Sequence, residues 1–241
     1  MKAIVLFSGG LDSTTCLALA IKRYGKENVL ALTLYYGQRH KREIEASNKI
    51  VNYYQVEHKV LDLASIFKDS KCSLLAKNEN EEIPLTSYNE QLKNEQIVST
   101  YVPYRNGLFL SVAASIAVSL NASFIYYGAH KDDFAIAAYP DTSKEFNRAI
   151  NRAIYLGSGK QVKVVAPFIN KDKAGVVKAG LKLKVPYQDT YSCYLGHEKA
   201  CGKCATCRDR QLAFYLNNTI DPAEYEVRLT KEEIENDENK R

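Results

Sequence analysis

The feature that most limits the fold of this chain is a regular alternation of two apolar patterns. Short unbroken runs, "AIVLF" (3–7), "NVLALTLY" (28–35), "KVLDL" (59–63), "SFIYYGA" (123–129) and "VKVVAP" (162–167), read as buried strands. Between them lie longer stretches with helical spacing: "DSTTCLALAIKRY" (12–24), "KREIEASNKIVNYY" (41–54), "RNGLFLSVAASIAVSL" (105–120), "SKEFNRAINRAIYLG" (143–157) and "DKAGVVKAGLKLK" (172–184). Continuous apolar strands need cover on both faces, and a strand–helix–strand unit brings the chain back parallel to itself. The order therefore predicts an α/β fold with a mostly parallel five-stranded sheet between helical layers. At 241 residues, 46% of them hydrophobic, the chain can bury a core of that size.

Two segments interrupt the alternation. Residues 64–100 are polar and rich in Asn and Glu, and read as an insertion at the surface, either a lid or a decorated loop. Residues 188–210 carry a cluster of cysteines. The expected organisation is an α/β nucleotide-binding domain over 1–187, a cysteine-bearing segment with a following helix over 188–220, and a charged tail over 221–241. In that tail Thr230 and Glu233 stand at capping-box spacing, ahead of residues expected to fray.

Charge and hydropathy narrow the class. There are 33 Lys and Arg against 28 Asp and Glu, a net charge of +5. That suits a pocket for an anionic ligand but falls short of the dense basic face of a dedicated nucleic-acid binder. No run approaches the twenty or so apolar residues of a spanning helix, and the start lacks a signal-peptide pattern, so a cytoplasmic protein is expected.

The first strand runs directly into "FSGGLDSTT" and then a helix. This puts free backbone N–H groups at a helix N-terminus, where the partial positive charge of the helix adds to them and favours an anion. Gly9 and Gly10 let the backbone curl and approach an oxygen closely. Ser8, Ser13 and Thr14 offer hydroxyl donors, with Phe7 and Leu11 flanking them. Asp12 cannot donate to phosphate; it can hold Mg²⁺ or cap the helix. No Gly-Lys-Ser/Thr follows, and no third glycine stands at G-x-G-x-x-G spacing, which excludes the two commonest phosphate loops. The string instead resembles the pyrophosphate loop of the ATP-pyrophosphatase ("PP-loop") adenylating enzymes. That resemblance implies a cradle for the β,γ-phosphates of ATP and attack at the α-phosphorus.

"SCYLGHEKACGKCATC" sets Cys193, Cys201, Cys204 and Cys207 at C-x7-C-x2-C-x2-C spacing. Thiolates on short C-x2-C steps converge on one ion, and a fourth closes a tetrahedron. Structural Zn²⁺ is the expected occupant; an iron–sulfur cluster and redox-active thiols are the alternatives. His197 reads as a surface histidine, Cys16 as a core residue, and Cys72 as a partnerless thiol in the insertion.

Taken in order, "YYGQRHKREIEAS" (35–47), "TYVPYRNGLFLSVAAS" (100–115), "GAHKDDFAIAAYPDTSKEF" (128–146), "APFINKDKAG" (166–175) and "YSCYLGHEKACGKCATCRDRQLAF" (191–214) resemble the 7-cyano-7-deazaguanine synthase family. The resemblance runs from residue 3 to about 216. It implies the three-layer adenine-nucleotide alpha-hydrolase-like (PP-loop) fold with a C-terminal four-cysteine zinc segment, and a homodimer. It also implies an ATP-dependent carbon–nitrogen ligase for the queuosine and archaeosine precursor. Such an enzyme adenylates 7-carboxy-7-deazaguanine, adds ammonia to form an amide, and adenylates the amide to give the nitrile.

The resemblance also suggests roles for single residues. Arg105 can hold the carboxylate or the α-phosphate, against a purely structural ion pair. Lys173 can reach phosphate. Asp133 and Asp141 can read the guanine-like N1–H and amine, bind Mg²⁺, or simply cap a helix. Gln38, Arg39 and His40 fall where adenine or ribose should rest. Asp12, Arg105 and Lys173 are thus the catalytic candidates. Thr142 and Ser143 replace the family's common Cys-Arg after "YPD", and Tyr191 stands where Trp or Thr is frequent.

A tRNA-thiolating enzyme of the same superfamily would share the loop but need a catalytic cysteine pair or cluster and a wide basic face, so tRNA is not an expected partner. A zinc-ribbon binding module on a decayed nucleotide fold is opposed by the intact Ser8–Ser13 string.

Overall fold

The computed structural model describes residues 1–39, 41–78, 80–91, 98–132 and 139–239. Within them the apolar runs form five strands: β1 (Ala3–Leu6), β2 (Val29–Tyr35), β3 (Glu57–Asp62), β4 (Phe124–Tyr126) and β5 (Lys163–Val165). They lie side by side in the order β3-β2-β1-β4-β5. Every neighbouring pair is parallel, with Val5 aligned to Ala31 on one side and to Tyr126 on the other.

The helices that alternate with these strands are α1 (Leu11–Tyr24), α2 (Arg42–Tyr54), α3 (Arg105–Ser119), α4 (Lys144–Gly157) and α5 (Lys173–Lys182), followed by α6 (Ala205–Tyr215) and α7 (Lys231–Asn239). The period-2 alternation of strand side chains sorts them into layers. Ala3, Val5 and Phe7 point to one face, where Leu17 of α1, Ile50 of α2, Val176 of α5 and Phe214 of α6 complete a core. Ile4, Leu6, Leu30 and Leu32 point to the other, against Leu110 and Ala113 of α3 and Ile154 of α4. This is the three-layer α/β fold anticipated from the alternation.

Differences from the expected boundaries have local causes. "KVLDL" reads as a buried strand, but β3 is an edge strand and Val60 is 46% exposed. β4 and β5 stop at Tyr126 and Val165 because the chain leaves the sheet there to build the crevice described below. Cys16 is fully buried in the core, as expected.

The insertion has a small core of its own. Tyr36, Phe67, Cys72, Leu74, Leu75, Ile83 and Val102 pack together and rest against Leu108, Phe109, Tyr194 and Leu195. It is therefore fixed to the end of β2, to α3 and to the cysteine segment. At the other end, Thr230 and Glu233 form the anticipated capping box: Glu233 N–H donates to Thr230 Oγ1 (3.2 Å) and Thr230 N–H to Glu233 Oε2 (2.7 Å). The helix it opens is docked by Ile234, which is 1% exposed. Among the described residues no helix is long and apolar enough to cross a membrane.

Candidate active site

From β1 the chain winds through β2 to β3 in one direction, then returns to β4 and β5 on the other side of β1. The crevice between the carboxyl ends of β1 and β4 is the topological switch point, where open parallel sheets bind ligands. A cavity of about 270 Å³ opens there. It is walled by the glycine loop, by Tyr127–His130 after β4, by the start of α3, and by Tyr191, Ser192 and Tyr194.

The loop has the local geometry that suits an anion. Gly10 is the N-cap of α1 in extended conformation and offers the helix no side-chain cap, the arrangement in which first-turn amides can serve an anion. Ser13 Oγ accepts from Ser8 N–H (3.2 Å) and lies 3.1 Å from Ser8 Oγ, which holds the curl. Gly9 has φ +81°. A Cβ there would lie 2.5 Å from Ser47 N and 2.8 Å from Glu43 O, so the loop sits directly on the backbone of α2. From the cysteine segment, Tyr191 N–H donates to Gly9 O (3.1 Å) and Ser192 Oγ accepts from Leu11 N–H (3.5 Å).

One wall carries Asp12, Lys173 and His130. Lys173 Nζ lies 2.6 Å from Asp12 Oδ2 and 3.2 Å from His130 Nε2, and His130 Nε2 is 3.8 Å from Asp12 Oδ1. Burial pushes the Asp12 carboxyl up, but Lys173, His130 and Arg210 outweigh it and hold it below its usual value. Its Oδ1 is buried and accepts no hydrogen bond among the described residues.

The opposite wall carries Arg105, the first residue of α3. Its guanidinium stacks over the Tyr36 ring, 5.2 Å from the centroid. Burial works against its charge, yet Tyr36, Asp141 and Glu43 raise its pKa above the ordinary arginine value. Glu43, in the first turn of α2, hydrogen-bonds Gln38 and faces Arg105. Burial dominates these contacts and pushes its carboxyl up to about 7. The far end is closed by tyrosines from three segments. Tyr139 Oη lies 3.0 Å from Tyr194 Oη, 3.3 Å from Tyr88 Oη and 3.1 Å from Thr100 Oγ1, and Tyr88 also bonds Tyr194.

Beside this cavity, Cys193, Cys201, Cys204 and Cys207 are all buried, with their sulfurs within 4.8 Å of one another. Four sulfurs each about 2.3 Å from one tetrahedral ion would be about 3.8 Å apart; Cys201 Sγ and Cys207 Sγ are 4.0 Å apart. Backbone N–H groups of Cys201 and Leu195 point at Cys193 Sγ (3.3 and 3.4 Å), and those of Cys204 and Lys203 at Cys201 Sγ (3.3 and 3.4 Å). Such donors stabilise thiolates, so this donor set fits a bound metal ion. Gly202, at φ +79°, lets the returning chain close over it: a Cβ there would sit 1.7 Å from Val227 O. His197 bonds Glu226 (2.8 Å) and is no part of the cluster.

The family model for the queuosine biosynthesis protein QueC matches residues 2–218. The chain belongs to the QueC family. It is 42% identical over 229 residues to the 7-cyano-7-deazaguanine synthase of Caldicellulosiruptor saccharolyticus, covering 95% of this chain and 97% of that one. It is 41% identical to the synthase of Archaeoglobus fulgidus, covering 92% and 89%. Among solved structures, the NMN synthetase of Francisella tularensis superposes with a TM-score of 0.51 at 15% identity, over 98% of this chain and 82% of that one. The U34-tRNA thiolase NcsA of Methanococcus maripaludis, with its [4Fe-4S] cluster, gives 0.50 at 19%, over 80% and 61%. At such identities these two speak for a shared fold alone.

In this QueC family member the cavity gathers Phe7, Ser8, Gly10, Leu11, Asp12, Ser13, Gln38, Arg105 and Lys173 of the residues singled out from the sequence. Three others point elsewhere. Thr14 is fully buried and donates to Gly10 O (2.7 Å). The Arg39 guanidinium bonds the carbonyls of Asn78 and Glu81 in the insertion. Both Asp141 oxygens accept from Asn106, from its backbone N–H (2.8 Å) and its side chain (3.2 Å), which caps α3. Asp133 and His40 lie outside the described residues. Of the departures from the family pattern, Ser143 caps α4 (3.0 Å from Phe146 N) and Thr142 lines the cavity.

Residue-by-residue reading missed Glu43, His130, Ser192 and the three tyrosines. An acidic residue in a helix's first turn reads as a partner of the helix dipole. Tyrosines far apart in sequence carry no sign that they converge.

Proposed function

We propose that this chain is a 7-cyano-7-deazaguanine synthase, an ATP-dependent ligase joining ammonia to the carboxylate of 7-carboxy-7-deazaguanine. The observation that carries the reading is near full-length identity of about 40% to synthases, in a chain whose glycine loop, Lys173 and Arg105 line one crevice.

In this reading the amides of α1 and the hydroxyls of Ser8 and Ser13 cradle the β,γ-phosphates of ATP. Lys173, oriented by Asp12, neutralises charge growing on the leaving pyrophosphate. Arg105 holds the substrate carboxylate toward the α-phosphorus. A carboxylate oxygen attacks that phosphorus, pyrophosphate leaves, and ammonia displaces AMP to give the amide. The amide oxygen then attacks a second ATP, and loss of AMP leaves the nitrile. One acid, one ammonia and two ATP thus become one nitrile, two AMP and two pyrophosphates.

The orphaned Asp12 Oδ1 fits a hard cation such as Mg²⁺, which would offset phosphate charge. Zn²⁺ suits the four thiolates as a closed structural site. Asp133 remains the proposed contact to the base edge, while Asp141, with both oxygens on Asn106, supports the start of α3 beside Arg105. The exposed apolar Val118, Leu120 and Leu156 suit a homodimer contact.

Incubation with the carboxylated base, ATP, Mg²⁺ and ammonium, followed by mass detection, is expected to yield amide and then nitrile, with two AMP per nitrile. ADP as the only nucleotide product would sink the adenylation scheme. Product from a different carboxylate only would move the chain to a sister activity.

A further inference from the structure

The proposed conversion starts from ammonia, with three N–H bonds, and ends in a nitrile, with none. Three protons therefore leave nitrogen beside the reacting carbon, and a nearby group has to accept them. Three of the carboxylates in or beside the cavity differ in their capacity to do so. Asp12 is ion-paired to Lys173 at 2.6 Å. Asp141 spends both oxygens on Asn106. Glu43 stands on the cavity wall beside Arg105, the residue taken above to hold the carboxylate.

We propose that Glu43 is the general base of the amide- and nitrile-forming steps, placed next to the reacting carbon by Arg105 and Gln38. The assignment rests on the synthase reading. In the first step the nitrogen lone pair forms the C–N bond, the C–O bond to AMP breaks with its electron pair, and one N–H proton passes to a Glu43 oxygen. In the second, after the amide oxygen is adenylated, two further N–H protons leave in turn. Their bonding pairs become the additional C–N bonds as the second AMP departs. Between transfers Glu43 returns each proton to solvent.

The charged and titratable groups facing Glu43 are Arg105 from α3 and Tyr36 from the end of β2, beside the neutral Gln38. Its carboxyl, poised near neutrality by burial, suits a group that must both accept and release protons at that pH.

The variant Glu43→Gln separates this role from adenylation, which needs no base at nitrogen. Acid-dependent exchange of labelled pyrophosphate into ATP is expected to stay within about threefold of the unaltered enzyme, while amide and nitrile formation fall about 100-fold or more. In the unaltered enzyme, rate at fixed free ammonia rises with pH through an inflection near 7. E43D keeps part of that dependence and E43Q loses it.

Nitrile formation by E43Q within tenfold of normal overturns the proposal. So does loss of pyrophosphate exchange in step with nitrile, which would make Glu43 a support for Arg105. If E43Q does not fold, absence of the inflection in the unaltered enzyme decides against it. Failure of the unaltered enzyme to make any nitrile is a separate result that removes the synthase reading instead.

Discussion

Gly9 is the residue where chain conformation, packing and the proposed chemistry bear on one atom. Its φ of +81° suits glycine, and a Cβ would press on the backbone of α2 at Ser47 N and Glu43 O, 2.5 and 2.8 Å away. Neither contact is the end of a flexible side chain, so relief requires the loop or α2 to move. Gly9→Ala therefore combines left-handed strain of about 1–2 kcal/mol with a backbone overlap, and is expected to destabilise the fold by about 2–4 kcal/mol in urea unfolding. The same movement shifts the amides of α1 and the first turn of α2, so pyrophosphate release should fall as well. An unchanged unfolding midpoint would mean the loop relaxes freely and is not clamped against α2.

At the scale of elements, the cysteine segment is both a metal-binding candidate and a wall of the crevice. Cys193 is followed by Tyr194, whose hydroxyl closes the far end of the cavity, and preceded by Ser192 and Tyr191, which hold the glycine loop. Loss of a metal ion held there should therefore loosen the crevice and not only the C-terminal end. Cys204→Ser, or prolonged chelation, is expected to lower the melting temperature by several degrees and to weaken MgATP binding, with metal content by elemental analysis falling in parallel. Retained affinity in metal-free protein would confine the site to local folding. This coupling shows where sequence reading stops. Strands and helices were legible because periodicity is a local property, and the glycine loop because its chemistry is contiguous. The cysteine spacing was legible for the same reason. Glu43 beside Arg105, the tyrosines from residues 88, 139 and 194, and the core of the insertion arise from contacts between distant segments, which local pattern does not encode. Asp141 shows the converse: a carboxylate in a suggestive motif whose oxygens the fold assigns to a helix cap.

The whole molecule depends on how the C-terminal chain is locked to the α/β body, and Arg210 is the lock. Its guanidinium is buried, pairs with Asp221 at 2.6 Å, and donates to Thr190 Oγ1 (2.8 Å), Tyr187 O (2.9 Å) and Ser192 Oγ (3.4 Å). Asp221 also accepts from Tyr225 Oη (2.7 Å) and Ala223 N–H (3.0 Å). Burial alone would push the Asp221 carboxyl up, but Arg210 outweighs it and holds it below its usual value. The pair thus stabilises the fold above the ordinary carboxylate range, and that contribution is lost as pH falls through the depressed value. Removing one partner strands the other in the interior, so Arg210→Met is expected to cost about 3–5 kcal/mol. The double variant Arg210→Met/Asp221→Leu should recover most of that, because two apolar groups need no partners. What it cannot recover is the link from Arg210 through Ser192 to Leu11 N–H in the glycine loop. A brace of about 1 kcal/mol corresponds to a roughly fivefold weaker MgATP affinity by calorimetry in a double variant of near-normal stability. Full affinity there would show that the glycine loop holds its shape without the C-terminal segment. A double variant as unstable as Arg210→Met would show that the cluster contributes through its remaining hydrogen bonds and not through the charge pair.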